Sequence, residues 1–383
     1  MEHLKIQMQE LLQRAVEAGE IAGANLLVLQ GGKELLYAQS GKAQEDKIFS
    51  RDTICRIFSM TKPVTAAAAM ILMERGQLDP AQGLGEILPA FRNMQVWENG
   101  EKVPAKRDIF IKDLLNMTSG ICYPGMDDAG QEAARVFADA NRRLYGDDPM
   151  TTMELANRLG ECALAFQPGE AWMYGASADV LGAVIEQISG MPYGDFLRQE
   201  IFEPLGMEDT GFYVPAEKQH RLASVYRATD RGMVLTATDN LSICYTMHRQ
   251  PAFQSGGAGL VSTVDDYAKF AGSLLGHGKQ LLSPSTLRYM TQGKLMPWQQ
   301  DSLWRSWDGM RGYGYSNLLR ILEEPGMALL NGWTGEYGWD GWLGTYFCNC
   351  PHKDITVLLF TQKIDAGTMG VTRRIRNVLT AAL

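Results

Sequence analysis

The sequence has no stretch near the ~18 consecutive apolar residues of a membrane-spanning helix. Its longest apolar run, Val64 to Met73, is interrupted by Thr65 and closed by Glu74-Arg75, and reads as a buried helix. Basic runs are also missing. With a net charge of −8 and no cluster of lysine and arginine, the chain lacks the footprint that neutralises nucleic-acid phosphates. Neither nucleic acid nor membrane is expected as a partner, and the acidic balance reads as solubility. The first residues, Met1-Glu2-His3-Leu4-Lys5-Ile6-Gln7, show no positive region followed by an apolar one, so a cytoplasmic location is expected.

Cysteine is sparse. Cys55, Cys122, Cys162, Cys244, Cys348 and Cys350 are scattered, and Cys348-Asn349-Cys350 lacks the two-residue spacer of a redox or zinc pair. Reduced buried thiols are expected rather than a disulfide framework. The five histidines (His3, His220, His248, His277, His352) lie far apart without ligand spacing, so no metal or organic cofactor is expected. Repeats and low-complexity linkers are absent as well. What remains is an ordinary globular composition, 45% hydrophobic and 21% charged over 383 residues, ample for a large core.

Leu4, Met8, Leu11, Leu12 and Ala15 recur at helical spacing and predict an amphipathic helix over 3–18. Ala24 to Gln30 is strand-like, Gly31-Gly32 is a hairpin turn, and Glu34 to Gln39 is the return strand. The alanine-rich segment from Ser59 to Arg75 predicts a helix that stops at Gly76. Residues 81–250 alternate helical patterns (Ile111 to Leu115, Met153 to Leu159, Val180 to Ile188, Tyr193 to Phe202) with loops, and no β-rich stretch intervenes. After Gly256-Gly257, a helix from Val264 to Leu275 precedes the strand candidates Gly314 to Ile321, Met327 to Leu330, Gly344 to Asn349 and Ile355 to Thr361. A helix from Thr372 to Ala382 closes the chain. Strands near both termini around a helical middle predict one α/β (α+β) domain over 1–383. Residues 1–80 and 251–383 build one sheet, and 81–250 form an inserted, mostly helical subdomain.

A Gly-x-Ser-x-Gly nucleophile elbow is missing, but Ser59-Met60-Thr61-Lys62 is present, and Ser59 is the one serine with a lysine three residues on. Three residues is nearly one helical turn, which sets the two β-carbons roughly 5–6 Å apart on one face. An amine there can hydrogen-bond the hydroxyl and accept or relay its proton. Pro63 fits only near a helix start, so Ser59 stands at or just before the N-terminus, where free N–H groups and the helix dipole face a developing oxyanion. The plainer reading makes Ser59 an N-cap and Lys62 a solvated side chain.

Further segments carry a resemblance. Ile57-Phe58-Ser59-Met60-Thr61-Lys62-Pro63-Val64-Thr65-Ala66 resembles the nucleophile motif of class C β-lactamases, serine D,D-peptidases and their esterase relatives, the penicillin-binding-protein-like serine hydrolases. Ile111-Lys112-Asp113-Leu114-Leu115-Asn116-Met117-Thr118-Ser119-Gly120, Pro168 to Tyr174, Pro204 to Thr210 and Gly257 to Thr263 follow in that family's order, over roughly residues 20 to 365. The resemblance implies a β-lactamase/transpeptidase-like fold, with an antiparallel sheet flanked by helices. It implies Ser59 as nucleophile and Tyr174 as general base, its phenolate favoured by the nearby Lys62 ammonium. The alternative for Tyr174 is an aromatic packed under a loop.

The sequence also departs from that pattern. Tyr174-Gly175-Ala176 replaces the usual Tyr-x-Asn, and Trp339-Asp340-Gly341 replaces Lys or His, x, Gly. Tryptophan cannot pair with the carboxylate of a β-lactam or peptide, and its presence is similar to the esterase and acyltransferase branch. By resemblance, the Ser59 and Trp342 N–H groups form the oxyanion hole, Gly341 lets the backbone approach substrate, and Trp339, Asp340 and Tyr123 meet the substrate. Trp298, Trp304, Trp307, Trp333, Trp339 and Trp342 crowd one segment, as pocket wall or as core. The reading is a carboxylesterase acting on a small-molecule ester or amide through an acyl-enzyme. Alternatives are an acyltransferase, a β-lactamase or D-peptide hydrolase, and a non-catalytic binding protein.

Overall fold

The structure, a computed structural model, describes residues 2–230 and 232–383. Helix α1 (Glu2–Glu17) opens the chain and buries Leu4, Met8, Leu12 and Ala15 on one face at three- and four-residue spacing. A hairpin of β1 (Gly23–Gln30) and β2 (Lys33–Gln44) follows. It turns at Gly31-Gly32, where both residues take positive φ (60° and 68°), as a two-residue hairpin turn requires. The short β3 (Lys47–Ile48) pairs with β2.

The far end of the chain supplies the rest of the sheet. From edge to edge its eight strands run Tyr313–Ser316, Leu319–Leu322, Tyr337–Asp340, Tyr346–Cys350, Ile355–Thr361, β1, β2 and β3. Every neighbouring pair is antiparallel. β1 lies beside the last strand, Leu27 opposite Leu358, and both are covered on two faces, so they read as continuous apolar runs. Alternation then sorts their side chains. Leu26, Val28, Val357 and Leu359 pack with α1 and with Val371, Ile375 and Leu379 of the closing helix Gly370–Ala382. Leu27, Leu358 and Phe360 face the other core, with Tyr267 and Phe270 of helix Val264–Ser273.

Helix α2 (Thr61–Glu74) is buried from Thr61 through Leu72 because it lies between the sheet and helix Ser177–Ser189. Its four consecutive alanines, Ala66 to Ala69, allow close approach on every side. Lys62 therefore stands on one of the most tightly held elements of the molecule, with Ser59 in the turn that leads into it.

On the outer face of the sheet, Arg376 and Glu336 form a buried ion pair, with side-chain exposures of 0% and 3%. Glu336 also accepts the Trp333 N–H at 3.0 Å. Removing one partner strands the other charge, which costs more than the pair contributes. Glu336→Ala is expected to lower unfolding free energy by about 3–5 kcal/mol. Equilibrium urea unfolding checks this, and a loss under about 1 kcal/mol contradicts the assignment.

Several elements differ from the sequence expectation. Gly314 to Ile321 is two strands rather than one, because Asn317 and Leu318 take positive φ (49° and 61°) and fold the segment into a hairpin. Met327 to Leu330 is not a strand; Pro325 starts a 3₁₀ turn there. Residues 81–250 do contain β structure. Gln95–Glu98 pairs with Glu101–Pro104 across Asn99-Gly100, a standard hairpin signal, and Tyr226–Thr229 pairs with Gly232–Leu235. Helix Asp128–Arg143, capped by the Asp127 side chain at 2.6 Å from Gly130 N, was not expected from periodicity, nor were Pro284–Thr291 and Pro297–Ser306.

All six cysteines are unpaired; Cys162 and Cys244 are half-exposed rather than buried. Burial pushes the Cys122 and Cys348 thiols up to about 12 and Cys162 up to about 11, so they stay protonated at neutral pH. Among the described residues, no helix is long and apolar enough to cross a membrane.

Candidate active site

Ser59 lies in a 3₁₀ turn, Phe58–Met60, that leads directly into α2, just before the helix N-terminus as the position of Pro63 implies. Phe58 takes positive φ (41°), a strained conformation at the residue before the candidate nucleophile. Ile57 is held by Leu260 O at 3.0 Å and Thr345 Oγ1 at 3.2 Å, so the turn is tied to both the loop 257–263 and the strand end 339–345.

Three groups from distant parts of the chain meet at Ser59 Oγ. Tyr174 Oη donates to it at 2.7 Å, and Lys62 Nζ lies 3.3 Å away. Lys62 is fully buried and donates to Gly257 O at 2.8 Å, with its ammonium 4.5 Å from the Tyr174 ring centre. Ser59 and Tyr174 are both half-buried, so a ligand can reach them.

The Thr118-Ser119-Gly120 segment acts as a mould for the Tyr174 loop. Met173 N donates to Met117 O at 2.9 Å, and Gly169 N donates to Thr118 O at 2.8 Å. A β-carbon on Gly175 would lie 2.0 Å from Ile121 O, so only glycine lets the loop approach closely enough to present Tyr174. Ala176, where asparagine is usual, is fully buried at the start of helix Ser177–Ser189 and offers no group to a ligand.

A second network supports Lys62. Tyr123 Oη lies 3.4 Å from Lys62 Nζ and donates to Asp179 Oδ2 at 3.0 Å. Asp179 Oδ1 accepts the Gly257 N–H at 3.1 Å and the Ser255 hydroxyl. Burial, and next the Asp179 carboxylate, hold the Tyr123 phenol well above the ordinary tyrosine range, so it remains a neutral donor. Asp179 was missed in the sequence. Its signal was a lone acid in the first turn of the otherwise apolar stretch Ala178 to Ile185.

The tryptophans divide by position. Trp339 is 1% exposed and donates its indole N–H to Tyr174 Oη at 3.3 Å, so its contact with the site runs through Tyr174. Trp307, one of the six clustered tryptophans, and Trp172, which is not among them, stand 5.6 and 6.3 Å from the Tyr174 ring. Asp340, next along the strand, points to the opposite face and pairs with Arg320 at 3.0 Å. A β-carbon on Gly341 would lie 2.4 Å from Ile57 O, which brings the Gly341-Trp342 backbone against the turn that carries Ser59. The Trp342 ring packs edge-on to Phe58 at 5.1 Å, and its indole N–H is donated to Asp365. Trp298 is exposed and Trp333 lies over Arg376, away from Ser59. Among the described residues, no group of three His, Cys, Asp or Glu side chains could hold a metal ion.

An antiparallel sheet flanked by helices, with serine, lysine and tyrosine side chains converging at its junction with the helical region, is the architecture of a serine hydrolase. The chain belongs to the Beta-lactamase family, whose model matches residues 8–382. It is 31% identical over 370 residues to Protein Rv1367c of Mycobacterium tuberculosis, covering 92% of this chain and 89% of that one. To Esterase EstB of Burkholderia gladioli it is 28% identical, covering 99% of this chain and 95% of the relative. The solved structure of EstCE1, described as a hydrolase with promiscuous acyltransferase activity, superposes with a TM-score of 0.81 at 25% identity, over 99% of each chain.

Proposed function

We propose that this protein is a serine carboxylesterase that takes the acyl group of a small-molecule ester onto Ser59. One observation carries the reading: the Ser59 hydroxyl lies 2.7 Å from the Tyr174 phenol and 3.3 Å from the buried Lys62 amine, with Ser59 and Tyr174 themselves half-buried and reachable by a ligand. Tyr174, as phenolate beside the Lys62 ammonium, accepts the Ser59 proton while Oγ attacks the ester carbonyl. The carbonyl oxygen becomes an anion facing the Ser59 and Trp342 N–H groups. Collapse expels the alkoxide, which leaves as alcohol with the proton from Tyr174. Water then enters, Tyr174 takes its proton, and the acid is released with Ser59 restored.

Esters are favoured over β-lactams and peptides because neither Ala176 nor Trp339 offers an amide or a cation to a substrate carboxylate. The esterase and hydrolase relatives support the same choice. Transfer of the acyl group to an alcohol is the second reading, favoured by the likeness to EstCE1. Residues 81–250 serve in this reading as a covering subdomain of one domain over 1–383. Unpaired thiols support a reducing, cytoplasmic setting.

The test is a substrate pair. p-Nitrophenyl acetate is expected to exceed a chromogenic cephalosporin by about 10²-fold in kcat/KM, the scale of a lost charge-assisted contact. Rapid cephalosporin hydrolysis without ester turnover overturns the ranking. No turnover and no fluorophosphonate adduct indicates a binding protein.

Gly257 provides an independent check, since an added β-carbon would lie 2.4 Å from Tyr123 Oη and 2.8 Å from Asp179. Gly257→Ala is expected to displace the support of Lys62 and lower ester kcat/KM by about 10²-fold. An unchanged rate in a folded variant, judged by circular dichroism, removes the network from the mechanism.

A further inference from the structure

A cavity of about 460 Å³, within the range of small-molecule sites, opens beside the C-terminal end of helix Asp128–Arg143. Ala140 and Leu144 line it from the helix, and Met150 and Phe253 form buried parts of its wall, with Pro149 and Pro251 nearer the surface. Ser59, Lys62, Tyr123, Tyr174 and Trp342 are not among its lining residues.

Its charge is one-sided. Among the described residues, Arg249 is the only charged one that lines the cavity, and it forms no ion pair. Its side chain is exposed, and Nη2 donates to Leu144 O at 3.1 Å, which holds the guanidinium at the rim. Nε and Nη1 remain available to a ligand. No lining carboxylate repels an anion there.

The wall is also preformed. Leu241, Ser242 and Met247 take positive φ (50°, 60° and 48°), and Ser242 and Cys244 line the cavity. Bulky residues keep that conformation only where their surroundings impose it. Ser242 Oγ donates to Phe137 O at 3.2 Å, and Arg56 Nε donates to Tyr245 O at 2.9 Å, so the loop is pinned on both sides of Cys244.

A rim guanidinium matches the two oxygens of a carboxylate, and the Leu144, Met150 and Phe253 side chains match hydrocarbon. We propose that this cavity binds a monocarboxylate with an aliphatic chain, its carboxylate on Arg249 and its chain against Met150 and Phe253. The site stands apart from Ser59 and does not rest on the esterase reading; an acid of this class is also what that reaction releases.

Octanoate and 1-octanol are the probes, titrated by isothermal calorimetry below the micellar range. Octanoate is expected to bind saturably and at least about tenfold more tightly than octanol, the worth of one charge-assisted hydrogen bond. Arg249→Gln, at an exposed position, is expected to remove that preference and leave octanol affinity unchanged. Ala252→Trp, at a half-buried wall position, fills the cavity and is expected to weaken both ligands about tenfold or more.

Cys244 reports on the site without any substitution. It is half-exposed and lines the cavity, whereas Cys162, also half-exposed, does not. Octanoate at about ten times its dissociation constant is expected to slow iodoacetamide labelling of Cys244 about tenfold, read by peptide mass spectrometry, and to leave Cys162 unaffected. No saturable octanoate binding, equal affinity for octanoate and octanol, or binding that survives both variants with Cys244 unprotected overturns the site. Ester turnover by the wild type is measured separately, so the failure of either reading leaves the other standing.

Discussion

Ser59→Ala is expected to lower p-nitrophenyl ester turnover by about 10⁴-fold or more and to abolish the fluorophosphonate adduct seen by intact-mass spectrometry. The substitution removes one oxygen atom from a half-buried side chain. The turn that holds it is fixed by Ile57 and α2, not by the hydroxyl, so the fold should be retained. With the hydroxyl absent, Tyr174 and Lys62 lose the atom on which they converge, and no covalent intermediate can form. The residual rate measures what the oxyanion donors and binding contribute alone. A variant that keeps a tenth of the activity and still gains the mass of the adduct places the nucleophile elsewhere.

Tyr174→Phe is expected to lower kcat by about 10³-fold with KM little changed, because a general base acts in the transition state rather than in binding. The ring is the reason this substitution is informative. Trp172 stacks at 6.3 Å and Trp339 at 5.6 Å, so phenylalanine keeps the packing and deletes only the oxygen. Trp339 then loses the acceptor of its indole N–H, a small penalty beside the loss of a proton acceptor. Steady-state kinetics on one ester is sufficient. Retention of more than about a tenth of kcat assigns the proton to Lys62 alone.

The two enzymological predictions concern residues that were legible for different reasons. Ser59 and Lys62 are three residues apart, and helical geometry alone brings them to one face. Tyr174 lies 115 residues from Ser59 and could be singled out only because its segment matches a recurring series. Asp179 shows the limit of both approaches. Its role depends on Tyr123 and Gly257, which arrive from separate loops, and nothing local distinguishes it from a first-turn acid that favours the helix dipole. Arg320 and Asp340 show the same limit, since a pair formed across neighbouring strands leaves no mark in the spacing of either residue.

Secondary structure followed a similar division. The strands Gly23–Gln30 and Ile355–Thr361 were legible because burial on both faces demands an unbroken apolar run. Tyr337–Asp340, which carries Trp339 and Asp340, is four residues long and has no such signature. It is a strand because its neighbours on each side supply the hydrogen bonds, a condition that exists only in the folded sheet.

By itself, the sequence determined what depends on short-range geometry: the amphipathic first helix, the glycine hairpin, the buried alanine-rich helix, and a serine just ahead of it three residues from the lysine in its first turn. Tertiary structure alone decided that a phenol from the helical half meets that serine. It alone also decided that an aspartate steadies the lysine through a second tyrosine, and that Trp339 and Asp340 point to opposite faces of one strand. Periodicity along the chain specifies which residues share a face, whereas contacts between faces are specified only when distant elements pack.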